Sequence, residues 1–288
     1  MEEPSFSGLF TPGELITDDP MWMRGHGTYT GQDRKTYSSV AGKLQRVNKL
    51  LTVKQLNGRY DPLVGDHIVG RITEVGNRKW SVELGATQDA SLQLGSVNLP
   101  GGVLRRKSDD DELNMREFLK EGDLLNAEVQ MVYQDGGCAL HTRSLRYGKL
   151  RNGMLCTVPP NLILRQVTQS HDLEGGVEAI IGANGYIWLR QSQGQKPEQQ
   201  TTRKANGLNR LEQDSDAALI FKDTNDEISI QTRQTISRYY NCIQALADCE
   251  MMIFGSRLRE IYEASLVYAD AAELLKIEVK QDLCRQLK

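Results

Sequence analysis

The stretch "GDHIVGRITEVGNRKWSVELG", residues 65–85, alternates apolar and polar positions twice, with a glycine–asparagine pair between the two runs. Ile68, Gly70 and Ile72 fall on one face and Val75 closes the first run; Trp80, Val82 and Leu84 form the second set. A period of two is what a half-buried strand requires, and Gly76-Asn77 supplies residues that a hairpin turn favours. Further short strands are predicted at 89–94, at "LLNAEVQMVY" (124–133) and at "CALHTRSL" (138–145) after Asp135-Gly136-Gly137. Five short strands within about 80 residues predict a small closed β-barrel.

Between the third and fourth of these strands lies "SDDDELNMREFLKEGD", residues 108–123, with seven acids and two bases. Ser108 with Asp111 three residues on resembles a capping box, and acids crowd the first turn, where the helix dipole favours negative charge. The segment therefore predicts a short helix, with Leu113, Phe118 and Leu119 facing inward, rather than an acidic binding tail.

The flanking segments read differently. In "SVAGKLQRVNKLLTVKQL", residues 39–56, the valines and Gly42 favour short strands over a helix. The preceding "MRGHGTYT" reads as a glycine-bent loop entering a strand. After residue 146, strands are predicted around Leu150–Val158 and Val177–Leu189. A polar stretch near 191–216 reads as a long insert. Ile236, Tyr240, Ile243 and Ala247 then recur at helical spacing over about 231–253. Leu258, Ile261 and Tyr262 place a second helix after Gly255, and Leu275, Val279 and Leu283 a third. The expected architecture is mainly β plus α+β: an N-terminal β domain at 1–60, a barrel at 61–146 and an α+β domain at 147–288.

Composition limits the function classes. Of 288 residues, 39% are apolar and 25% charged, enough for a packed core. A net charge of −3 opposes a surface that grips nucleic acid everywhere but leaves room for local basic patches. The longest apolar runs, such as Ala217–Phe221, are too short to span a membrane, so no membrane association is expected. Met1-Glu2-Glu3-Pro4 lacks the basic-then-apolar pattern of a secretory signal. Five cysteines form no CxxC pair and four histidines are scattered, so reduced thiols and no metal site are expected.

The barrel segments "GDHIVGRITEV", "WSVELG" and "GDLLNAEVQMVYQDGGCALHTRS" resemble an S1 domain, an RNA-binding barrel of the OB-fold type. "IIGANGYIWL" resembles the signature loop of a KH domain. Together with "MRGHGTYTG", "SVAGKLQRVNKLLTVK", "NLPGG" and "HTRSLRYGKL", in that combination, the chain from about Thr11 to Leu266 resembles the RNA exosome cap subunits of the ribosomal RNA-processing protein four family. The resemblance implies a three-domain, non-catalytic protein: an N-terminal β domain, an S1 barrel and a KH-like α+β domain, without cofactor. It implies seating on a ring of RNase PH-like subunits beside other cap subunits. The S1 face would line the entrance through which single-stranded RNA is threaded towards associated exoribonucleases. Nucleus, nucleolus and cytoplasm are the locations implied.

Candidate site residues follow from this resemblance and from the residues themselves. S1 barrels that grip RNA typically offer stacking aromatics on strands two and three; near those positions this chain has Arg78, Ser81 and Gln93. Trp80 alternates with Val82 and Leu84 and is expected in the core. The remaining means of holding RNA is phosphate contact by Arg78 and Lys79, by Arg105, Arg106 and Lys107, and by Arg143 and Arg146. Each of these cations either touches RNA or is an ordinary solvated side chain. A KH loop that clamps RNA usually carries basic residues between its glycines and leads into a helix. Gly182-Ala183-Asn184-Gly185 is uncharged and leads into an alternating run, which favours a structural strand–turn–strand over RNA contact, with Asn184 in a left-handed conformation. Arg24, Gly25, His26, Gly27, Thr28 and Tyr29 read as a structural or docking loop, since His26 has no nucleophile or carboxylate partner at recognisable spacing. Phosphorolytic exoribonucleases place KH before S1 and behind large catalytic domains, an order this chain lacks. A free-standing S1/KH RNA-binding factor remains the alternative.

Overall fold

The computed structural model describes residues 8–99, 107–144, 146–166, 168–192, 221 and 224–287. The chain divides into two compact units, Met1–Gly58 and Arg59–Lys288. The expected polar insert and Arg105-Arg106 fall largely outside the described residues.

The N-terminal unit holds two small sheets. One contains β1 (Leu9–Phe10), β6 (Gly42–Val47), β7 (Leu50–Gln55) and β3 (Met23–Arg24); the other contains β2 (Leu15–Thr17), β5 (Thr36–Ser38) and β4 (Thr28–Thr30). β6 and β7 form a hairpin in continuous register from Gly42↔Gln55 to Val47↔Leu50, turned by Asn48 at φ 55°. Ile16, Leu51 and Val53 are its buried core, flanked by Phe10, Trp22, Val40 and Leu44.

In the second unit, β8 (His67–Val75), β9 (Lys79–Glu83), β10 (Ala90–Val97), β11 (Leu124–Val132) and β12 (Cys138–Thr142) close into a barrel, with the short β13 (Gly148–Lys149) paired to β11. β8 pairs with both β9 and β11, β9 with β10, β10 in parallel with β12, and β12 with β11, so every edge is taken up. The alternating residues read from the sequence fill it: Ile68, Ile72, Val82, Leu84, Leu92 and Leu125 are all buried. Trp80 is fully buried among them, its indole Nε1–H donating to the Leu119 carbonyl at 2.9 Å. That bond satisfies a polar atom that would otherwise be stranded in the core.

The acidic segment forms two short helices, Asp109–Leu113 and Met115–Phe118, instead of one. The Ser108–Asp111 capping box is present, with the Asp111 carboxylate accepting from the Ser108 N–H at 2.8 Å. Leu113 does not face inward: it is 84% exposed. The first helix ends at Asn114, whose N–H closes on the Asp110 carbonyl, and the turn this makes hands the inward positions to Met115 and Leu119. Phe118 is partly buried, stacked edge-on against Phe221 at 5.9 Å.

The remainder is an antiparallel sheet, β14 (Gly153–Thr157), β17 (Tyr186–Gln191), β16 (Val177–Ile181) and β15 (Ser170–Leu173), in that spatial order. Helices Ile230–Asp248, Gly255–Ser265 and Ile277–Gln286 pack on it. The first helix stops at Asp248, five residues short of the expected end. Glu250 adopts φ 53° and the Met251 N–H returns to the Leu246 carbonyl, a Schellman stop with a side-chain-bearing residue in the place glycine usually takes. The edge strand β15, "SHDL", carries no apolar alternation and was not expected from the sequence.

Both faces of this sheet are covered, which explains the unbroken apolar run before and after the glycines. Val177, Ala179, Ile181, Ile187 and Leu189 pack against the helices. Ile180 and Trp188, cross-strand neighbours, turn the other way and pack with Val69 of β8 and Leu150. Burial on both faces favours continuous rather than alternating hydrophobicity.

Replacing Trp80 with Phe strands the Leu119 carbonyl and opens space in the barrel. The expected loss is about 2–4 kcal/mol. Hydrogen exchange of the β8–β12 amides measures it; exchange unchanged from wild type contradicts this account of the core.

Candidate nucleic-acid interface

Two features could handle RNA, the glycine-flanked turn and the outer face of the barrel, and they are built in opposite ways. The turn Gly182–Gly185 joins β16 to β17 and is buried throughout. The Gly182 N–H donates to the Tyr186 carbonyl at 2.9 Å and the Gly185 N–H to the Gly182 carbonyl at 3.1 Å. The left-handed residue is Gly185, at φ 87°, and not Asn184 as the sequence suggested. A side chain at Gly185 would also collide with the Val158 carbonyl and Pro160. Asn184 is thereby left free to use its amide elsewhere.

That amide is spent on the barrel. β9 ends at Glu83, so the backbone of Val69 on β8 has no strand neighbour on that side. The Asn184 Nδ2 donates to the Val69 carbonyl at 2.8 Å and to the Leu84 carbonyl at 3.0 Å, and its Oδ1 accepts from the Val69 N–H at 3.4 Å. The side chain acts as one more rung of the β8 ladder. Beside it the Ala183 N–H donates to the His67 carbonyl at 2.8 Å, and the Ala183 methyl enters the barrel's core cluster. The Tyr186 hydroxyl donates to Glu83 at 3.1 Å, and Arg165 bridges Asp66 and the Asp61 carbonyl, each at 3.2 Å. Desolvation, with Glu83 adding to it, raises the Tyr186 hydroxyl above its ordinary range. The Gly182, Ala183 and Gly185 amides and the Asn184 carboxamide are all engaged within this seam.

The barrel's outer face is open. A surface groove of about 710 Å³ runs over β9 and β10 to the first acidic helix. It is lined by Asn77, Arg78 and Lys79 from the end of the β8–β9 turn and the start of β9, by Ser91, Gln93, Leu94 and Gly95 of β10, and by Lys107, Asp109 and Glu112 at the helix start. No aromatic residue is among those lining it, so its available chemistry is amide and hydroxyl hydrogen bonding plus charge. The structure thus brings together Arg78, Lys79 and Lys107 of the predicted cations. Arg78 is not a solitary one: its Nε lies 2.6 Å from Glu112 Oε1, and that bond raises its already high pKa further. Arg143 and Arg146 are exposed on the loop after β12, outside the groove. That loop is held by its backbone, the Arg143 carbonyl accepting from the Asn98 amide and the Arg146 carbonyl from Asn126.

The loop Arg24–Tyr29 folds onto its own unit. The Gly25 N–H donates to the Leu51 carbonyl at 2.7 Å, the Val53 N–H to the His26 carbonyl at 2.9 Å and the Thr28 hydroxyl to the Gly25 carbonyl at 2.8 Å. Gly27, at φ 74°, lies where a side chain would strike the Val53 carbonyl and Val40. Arg24, His26 and Tyr29 stay exposed. Among the described residues no cluster of three or more His, Cys, Asp or Glu is arranged to hold a metal ion, and no helix is long and apolar enough to cross a membrane.

Sequence reasoning missed Asn77, Ser91, Gly95, Asp109 and Glu112 as groove residues. The acids were visible as a helix start, but nothing local to them signals a partner 34 residues earlier. Asn184 was visible as a turn residue, and its bonds to residues more than a hundred positions away were not.

Asn184→Ala leaves the Val69 N–H and two buried carbonyls without these partners. The expected loss is about 2–4 kcal/mol. Thermal unfolding followed by circular dichroism measures it. A variant as stable as wild type contradicts the role of the amide.

Comparison with known families agrees with this architecture. Residues 9–47 match the family model described as the exosome complex exonuclease RRP4 N-terminal region, residues 59–131 the RRP4 S1 domain and residues 153–195 a KH domain. The exosome complex component RRP4 of Saccharomyces cerevisiae is 52% identical, over 97% of this chain and 82% of its own length. The Schizosaccharomyces pombe component is 46% identical over 92% of this chain and 78% of its own, and that of Mus musculus 46% over 96% and 87%. With an N-terminal β unit, a closed S1 barrel and a KH-type sheet in the same order, and with identity of this extent, the chain belongs to the RRP4 family of exosome complex components.

Proposed function

We propose that this chain is a non-catalytic, RNA-binding cap subunit of the exosome. In this reading it helps assemble the ring of RNase PH-like subunits, beside other cap subunits. It guides single-stranded RNA to associated exoribonucleases for 3′-to-5′ processing and degradation of rRNA, mRNA and other RNAs, in nucleus, nucleolus and cytoplasm. The observation that carries the reading is the β9–β10 groove, in which Lys79 and Lys107 meet polar residues and no stacking aromatic. Such a groove suits phosphate contacts, which hold a strand without reading its bases, as a threading path requires. Arg105 and Arg106, adjacent in sequence to Lys107, and Arg143 and Arg146 on the loop after β12 would extend the cationic path. Gly182–Gly185 serves in this account as a structural turn, and the exposed Arg24, His26 and Tyr29 as ring-docking residues. Catalysis falls to other subunits.

The test is a salt titration of single-stranded RNA binding, using two unrelated sequences. Wild type is compared with a variant in which Arg105, Arg106 and Lys107 are all alanine. Weaker binding by similar factors for both sequences, with a shallower salt slope, is expected. Equal slopes, or a defect confined to one sequence, would remove this loop from the RNA path. Tight, ring-independent binding by the isolated wild-type chain would favour a free-standing RNA-binding factor.

A further inference from the structure

The groove that collects the cations also carries two carboxylates of its own. Arg78 occupies the turn between β8 and β9 at φ 58°, a left-handed conformation uncommon for residues with side chains. The turn is fastened on both sides, the Gly76 N–H donating to the Lys79 carbonyl and the Leu94 N–H to the Arg78 carbonyl, each at 2.9 Å. Its guanidinium reaches across the groove to Glu112, on the helix whose first turn also contains Asp109, Asp110 and Asp111. Asp111 is turned inward to cap that helix, whereas Glu112 and Asp109 line the groove. Glu112 is not needed for the cap. A carboxylate presents to a guanidinium the same planar pair of acceptor oxygens that a phosphate does.

We infer that Glu112 is a built-in competitor of the RNA phosphate backbone for Arg78, so that RNA entering the groove displaces an intramolecular carboxylate. This rests on the reading that the groove receives RNA. Exposure decides the strength of the latch: the Arg78 side chain is 66% exposed and that of Glu112 25%. Pairs this open are worth no more than about a fivefold shift in equilibrium, weak enough for a phosphate to displace. The salt dependence follows. When RNA takes Arg78 from Glu112, the counterion released from the phosphate is partly offset by cations gathered around the freed carboxylate. Arg78 therefore contributes less than a full phosphate contact to the wild-type salt slope. A groove with Arg78 held this way grips loosely, which suits a strand that has to slide.

The experiment measures anisotropy of labelled single-stranded RNA on the full chain across a salt series. The variants are Glu112→Gln, Glu112→Ala, Asp110→Asn, Arg78→Ala, Arg78→Ala with Glu112→Gln, and Lys79→Ala, each checked by melting. Both Glu112 variants are expected to bind about two- to fivefold tighter at low salt. Their log–log salt slope steepens, by up to about 0.7, the value for one additional neutralised phosphate on a single strand. Asp110→Asn, which removes the same charge from the same helix without touching Arg78, should gain less, and the Glu112→Gln gain should shrink in the Arg78→Ala background. If Lys79→Ala weakens binding but the Glu112 variants bind as wild type or more weakly, the competitor is overturned and the groove stands. An Asp110→Asn gain as large as that of Glu112→Gln overturns it too, reducing the effect to net charge. If Lys79, Arg78 and Glu112 variants all bind as wild type, the groove itself is not the RNA path and the competitor falls with it.

Discussion

The second unit depends on one side chain, the amide of Asn184. β9 is too short to cover Val69, and a strand position on β8 with neither partner nor water would leave an N–H and a C=O unsatisfied inside the protein. A carboxamide offers both an acceptor and two donors, and it meets Val69 on both its groups and Leu84 on its carbonyl. The flanking glycines let the turn come this close: at Gly182 a side chain would meet the Val69 nitrogen and the Tyr186 carbonyl. From this contact follow the apposition of Ile180 and Trp188 with Val69 and the double-sided burial of β16 and β17. A turn used in this way is not open to cradle a phosphate, and the proposed RNA path therefore lies on the barrel alone.

In the proposed reading, recognition is left to weak electrostatics. A basic KH loop or a pair of stacking aromatics would hold a strand tightly and with some regard for its bases. The β9–β10 groove has cations opposed by carboxylates, with serine, glutamine and asparagine between them. Phosphate contacts carry no sequence information, and their partial neutralisation lowers the residence of any one segment. Such a surface suits the proposed role of passing varied RNAs onward, and a net charge of −3 is compatible with it because phosphate contact needs only a local cluster of cations.

The legible parts of the fold were those set by local period. Alternation at Ile68–Ile72 and Trp80–Leu84 fixed the barrel strands, and Ser108 with Asp111 fixed the helix start. The illegible parts were set by distant partners or by short-range geometry that apolar spacing does not record. Leu113 turned outward because the helix breaks at Asn114, and β15 exists because β16 offers "SHDL" a free edge. Arg78 was readable as a cation, but its partner Glu112 was not. The glycines of Gly182–Gly185 announced a turn; which of its residues took the positive φ depended on the barrel backbone waiting beside Asn184.

In the proposed path RNA lies on the barrel groove while the Gly182–Gly185 turn remains closed against the barrel. Ultraviolet crosslinking of 4-thiouridine-containing single-stranded RNA to the full chain, with the crosslinked peptides mapped by mass spectrometry, tests it most directly. Crosslinks are expected in 77–95 and around Lys107, with none in 182–185. Crosslinks at Ala183 or Asn184 in the folded protein, with none in the groove, would contradict it.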